Sequence, residues 1–162
     1  MTPPAQALDI ASILAVIGLA ASPIAELRGA IPLAITGLHI DWYWALPLAI
    51  LGNLVPVPFI LLFLDRGARL ASRVSFLGRA INWVFERTRR RSKIVERYEY
   101  LGLVLLVAVP LPVTGAWTGS LAAVLFGLRL RHAFLAIAAG VIIAGGIVTA
   151  ATLAGWAIFT AG

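Results

Sequence analysis

The chain has 162 residues, 61% of them hydrophobic and only 12% charged, with a mean hydropathy of +0.98. A soluble domain of this length cannot cover so much apolar surface with so little charge, so composition points to an all-α integral membrane protein. The absence of cysteine excludes disulfides and thiol chemistry, and ten of the thirteen Lys and Arg residues behind the net charge of +6 fall between Asp65 and Glu99, the pattern of a cytoplasmic loop and not of a nucleic-acid face.

The first apolar block, 8–38, opens with a stretch as long as a signal peptide. No basic residue precedes it, so it is expected to be retained. The block is broken at SPIAELRGAIP, Ser22 to Pro32, where Glu26 and Arg28 stand between two prolines. A charge at membrane depth costs about 3 kcal/mol or more and survives when paired or hydrated. Pro23 and Pro32 remove backbone donors and Gly29 permits unusual dihedrals, so the segment reads as the tip of a broken hairpin. Glu26 could carry a proton and Arg28 could grip an anionic group bidentately. Glu26, Arg28, Gly29 and Pro32 are therefore the first candidate site residues. The plainer reading is an ion pair that only clamps the hairpin.

Block two, 42–64, is uncharged and begins with Trp42, Tyr43 and Trp44, as an aromatic belt does. Pro47, Pro56 and Pro58 should kink it, and Asn53 is its polar residue at depth. An interhelical hydrogen bond is the plainer role for Asn53, and a place in the site is the other. In segment 65–99, Leu70, Val74, Leu77, Ile81 and Val84 recur at helical spacing, which predicts a cytoplasmic amphipathic helix on the membrane surface. RTRRRSK, Arg87 to Lys93, reads as a solvated turn that fixes orientation.

Block three, 101–128, is broken at PLPVTGAWTG. Pro110, Pro112, Thr114, Gly115, Trp117, Thr118 and Gly119 form a second candidate tip, with hydroxyls and an amphipathic ring but no charge. Arg129 and Arg131 follow as lipid or anion contacts. Block four, 133–159, is again uncharged and long enough to span. His39 and His132 are far apart without a carboxylate cluster, so no metal site is expected.

A shift of ninety residues lays Gly29 on Gly119, Gly37 on Gly127 and Leu38 on Leu128. Each half is then a re-entrant helical hairpin followed by one transmembrane helix. A hairpin returns to its own side and a span crosses, so the halves are expected to be inverted repeats with a site at mid-membrane. Positive-inside charge places segment 65–99 in the cytoplasm and both termini outside, in one multi-pass domain of the cell (inner or plasma) membrane.

ELRGAIP, Glu26 to Pro32, and PLPVTGAWTG, Pro110 to Gly119, resemble the paired motifs of the bacterial and archaeal small multidrug export membrane proteins, over nearly the whole chain from Ile13 to about Trp156. Val113 stands where that motif carries a glycine. The family is distantly similar to DedA/VTT-type membrane proteins. That likeness implies two inverted re-entrant hairpins, lipid-carrier flipping or proton-dependent transport, an acidic residue at the position of Glu26, and basic residues loosely matched by Arg129 and Arg131. The expected function is a small, proton-coupled transporter or flippase for an amphipathic or anionic, lipid-like substrate. The alternatives are an energy-independent lipid scramblase or a non-transporting scaffold. Membrane lipids and a second copy in a homodimer are the expected partners. No nucleic acid, cofactor or enzymatic activity is expected.

Overall fold

The computed structural model describes residues 9–71, 93–110 and 114–161, and among these every regular element is helical. The helices are α1 (Ile10–Ala21), α2 (Glu26–Pro32), α3 (Trp42–Leu54), α4 (Pro56–Ala71), α5 (Lys93–Ala108), α6 (Ala116–Leu125) and α7 (Leu130–Ala161), and a π-helical turn, Leu33–Gly37, prolongs α2. The chain forms two compact units: Met1–Val55 with Val141–Gly162, and Pro56–Gly140. Two runs are long and apolar enough to cross a membrane, Trp42–Leu64 with 23 residues and Leu130–Thr160 with 31.

In the first unit, α1 starts where the Asp9 carboxylate accepts from Ala11 N at 3.2 Å, and it closes where Ser22 N donates to Leu19 O at 3.2 Å. α1, α2 and α3 pack against one another. Their buried faces are dominated by small residues: Ala20 on α1, Ala30 on α2, and Ala45, Ala49 and Gly52 on α3. Helices in lipid gain little from the hydrophobic effect on meeting each other, so close backbone approach supplies the contact energy. Gly52 is the closest case. A Cβ there would stand 2.6 Å from the carbonyl oxygen of Ile17 and 2.9 Å from Ala20 Cβ. Gly145, on the C-terminal part of α7, seats against Leu46 and Ile50 of α3 in the same way.

The second unit packs α6 against α4 and α5. Here a Cβ at Gly119 would meet Val107 Cγ2 at 2.6 Å, and one at Gly140 would meet Val107 Cβ at 2.6 Å and Val104 O at 2.9 Å. α6 ends in a Schellman closure: Gly127 takes φ 65°, Leu128 N donates to Ala123 O at 2.9 Å, and Gly127 N to Val124 O at 3.0 Å. The end of the π-helical turn is a wider version. His39 takes φ 53° and Ile40 N donates to Ala34 O at 2.8 Å. Pro32 has no N–H to give to the turn before it, which favours such local rewinding.

Several element boundaries differ from the sequence reading. The first break is confined to Ser22–Ala25, so Gly29 and Pro32 lie inside α2. The second lies between Val109 and Gly115, so Thr118 and Gly119 are helical. α4 continues past Leu64 to Ala71, and α7 starts at Leu130, which puts Arg131 and His132 in its first turn and not in a loop. A proline disfavours the helical conformation for the residue before it, while the residues after it can wind at once; the motif therefore overstated each break. The amphipathic stripe beyond Ala71, Pro112 and most of the RTRRRSK run lie outside the described residues.

Replacing Gly52 by Val is expected to destabilise the purified protein by about 1–3 kcal/mol, because the new side chain meets backbone that cannot turn away. Gly146→Ala, where nothing lies within 4 Å of the added atom and the position is helical, should not lower the melting midpoint and should raise it slightly. Thermal unfolding in detergent, followed by tryptophan fluorescence, checks the contrast.

Candidate functional site

The first tip is built by a serine. Ser22 Oγ donates to Leu19 O at 2.8 Å and accepts from Ala25 N at 3.2 Å, and Glu26 N donates to Ser22 O at 3.2 Å. One residue thus closes the end of α1 and holds the turn that starts α2.

This geometry delivers Glu26 in a left-handed backbone conformation, φ 47°, with only 7% of its surface exposed. Such a φ costs a non-glycine residue about 1–2 kcal/mol, and such strain clusters at functional sites. The sequence points to Gly29 for an unusual dihedral. The structure gives it to Glu26, and Gly29 serves close approach: a Cβ there would lie 2.9 Å from that of Ala25. Arg28, Gly29 and Pro32 are half-buried on α2 beside it.

The second tip is stapled by hydroxyls. Thr114 Oγ1 donates to Val109 O at 2.9 Å, reaching back across the break. Thr118 Oγ1 accepts from Gly115 N at 2.9 Å, and Ser120, fully buried, donates to Ala116 O at 2.6 Å. These three hydroxyls each hold local backbone. Gly115 and Gly119 are buried, and Pro110 is half-buried. Trp117 and Thr118 line an apolar groove of about 490 Å³ with Phe59, Ile60, Phe63 and Leu64 of α4 and with Leu121.

The basic pair lies elsewhere in that unit. Arg129 and Arg131 are exposed at the start of α7. Arg131 borders a second cleft, of about 390 Å³, whose other walls are Pro58, Leu61, Leu62, Leu130, Phe134 and Leu135. Tyr100 fixes this corner: its hydroxyl accepts from Arg129 N at 3.2 Å and its ring lies 5.6 Å from that of His132.

Asn53 departs from expectation most clearly. It is 1% exposed, and among the described residues neither Oδ1 nor Nδ2 has a hydrogen-bond partner, so the interhelical bond expected of it is not found among them. Thr149, unremarked in the sequence, is likewise 5% exposed with an unpartnered hydroxyl, whereas Thr152 and Thr160 on the same helix bond the carbonyl four residues back. Its position four residues after Gly145, on the buried stripe of α7, was the available signal. Among the described residues no group of three or more His, Cys, Asp or Glu side chains could hold a metal ion.

A sequence model of the family described as "Putative small multi-drug export protein" matches residues 26–147, well over half of the chain. No curated protein and no solved structure matches it.

The strain at Glu26 is testable by difference. Glu26→Gly and Glu26→Ala remove the same carboxylate, but only alanine keeps a Cβ in the left-handed region. The glycine variant is expected to be the more stable by about 1 kcal/mol, the reverse of the order found inside a regular helix. Paired melting curves of the two variants decide it.

Proposed function

Because the chain belongs to the small multi-drug export protein family, we propose that it is a proton-coupled exporter or flippase for an amphipathic, anionic or lipid-like substrate, with Glu26 as its proton-carrying group. The observation that carries this reading is the carboxyl of Glu26, buried within an apolar unit and held in a strained backbone at a helix break. An ionised carboxylate is costly in such surroundings, so its charge state and its neighbours are strongly linked. Arg28, two residues on, supplies the opposite charge that an anionic head group would meet.

In this reading the broken segments are re-entrant hairpins. α1 has 12 residues and α6 has 10, so at 1.5 Å per residue they reach about 18 and 15 Å, short of a hydrocarbon core of about 30 Å. The reading also makes the two halves inverted repeats. Its support is local. The helix after each break starts at residues ninety apart, Glu26 and Ala116. The left-handed closures, His39 and Gly127, and the close-packed glycines, Gly52 and Gly140, are each 88 apart. The difference of two residues falls in the stretch that contains the π-helical turn. Segment 65–99 is taken as cytoplasmic from its charge, and the apolar cleft beside Arg131 suits the tail and head of an anionic lipid.

Reconstitution in liposomes tests the assignment. Wild-type protein should acidify or alkalinise the lumen when an amphipathic substrate is added, and Glu26→Gln should reduce that movement to background. Equal proton movement by both removes Glu26 from the mechanism. The scramblase alternative predicts lipid exchange that is indifferent to an imposed proton gradient.

A further inference from the structure

The two runs able to cross a membrane, Trp42–Leu64 and Leu130–Thr160, meet at one end within the unit Pro56–Gly140. The last turns of the first supply Pro58, Leu61 and Leu62. The first turns of the second supply Leu130, Arg131, Phe134 and Leu135, and the cleft of about 390 Å³ lies between them. Leu61 is buried and Phe134 half-buried, while Pro58, Leu62 and Leu135 are exposed, so the cleft has an inner apolar wall and an open side. Six of its seven lining residues are apolar, and the seventh carries a guanidinium.

An open apolar cleft at the end of a membrane span meets lipid chains and not water. Arg131 is the second residue of its run, so it stands where hydrocarbon gives way to the phosphate groups of the lipids. A guanidinium grips phosphate bidentately while its stem lies along apolar surface. The corner is fixed in advance: the Tyr100 hydroxyl accepts from Arg129 N at 3.2 Å, and its ring lies 5.6 Å from that of His132, so little freedom is lost when a ligand enters. Arg66, four residues after Leu62 and therefore on the same side of α4, adds a second exposed cation one turn further on. The acids of neighbouring turns, Asp65 and Glu99, are not among the lining residues. A second copy of the chain is the poorer occupant, because it would bury the guanidinium where the lining offers no carboxylate to meet it. We infer that this cleft holds a resident anionic phospholipid, with an acyl chain between α4 and α7 and the phosphate on Arg131, which ties the ends of the two spans together. The site rests on the same lipid-like reading as the proposed substrate, but here the lipid is a partner and not cargo. Its occupancy is read on the protein alone, without gradient or transport, so it can fail while the Glu26 assignment stands, and the reverse.

The test is thermal unfolding of the purified full-length protein in a neutral detergent, followed by tryptophan fluorescence, with added phosphatidylglycerol, phosphatidylcholine or inorganic phosphate. The expected result is a saturable rise in melting midpoint of about 5 °C with phosphatidylglycerol and no comparable rise with the other two. Arg131→Gln should lose the rise, and Leu62→Trp, which fills the cleft, should raise the half-saturating lipid concentration. An equal rise with phosphatidylcholine would mean an unselective apolar groove, and an equal rise with inorganic phosphate a surface arginine that needs no chain; either overturns the site. So does a phosphatidylglycerol rise that survives in Arg131→Gln, or the lack of any rise in the wild type. If Arg131→Gln fails to fold, Leu62→Trp decides: an unchanged half-saturating concentration sinks the proposal.

Discussion

A helix that stops inside hydrocarbon leaves carbonyl and N–H groups that no water can take up, each costing several kcal/mol. At the two breaks in this chain the described residues meet part of that need with their own side chains. At the first, Ser22 serves both helix ends at once; at the second, Thr114 reaches back to Val109 and Thr118 closes onto Gly115. The short polar residues of the motifs thus first of all hold the backbone of the turns. Catalogued as a motif, these hydroxyls look like ligands. Placed on the backbone, they are mostly committed to it.

The same constraint separates the groups that are committed from those that are not. Glu26 is buried with its backbone forced to φ 47°, a conformation that glycine would adopt more cheaply. That combination of burial and strain at a carboxylate is what the proposed function starts from. Asn53 gives the complementary case: its backbone is regular, and its side chain is the part left unsatisfied. Strain at one residue and an unmet hydrogen-bonding group at another are two forms of stored free energy, and both lie in the unit formed by Met1–Val55 and Val141–Gly162.

Glycine is used in this chain more for proximity than for conformational freedom. Gly52, Gly119 and Gly140 each stand where a Cβ would fall 2.6 Å from a neighbouring helix. Among the described residues Gly127 is the one glycine with a positive φ, and the closure after the π-helical turn uses His39 instead. Small residues at helix contacts replace the large apolar knobs of a soluble bundle, because lipid competes equally well for apolar surface. The large side chains, such as Phe59, Phe63 and Trp156, face outwards.

The amino-acid sequence by itself determined the helical class, the two runs able to cross a membrane, the positions of both interruptions to within a few residues, and the family. These depend on composition, hydropathy and proline, which act locally along the chain. Only the tertiary structure decided which backbone is strained, which hydroxyls are consumed by the breaks, and that Asn53 and Thr149 lack partners among the described residues. The strain and the hydroxyl bonds come from backbone geometry within five residues at each break, and the unmet amide of Asn53 from which helix lies opposite it; hydropathy encodes neither.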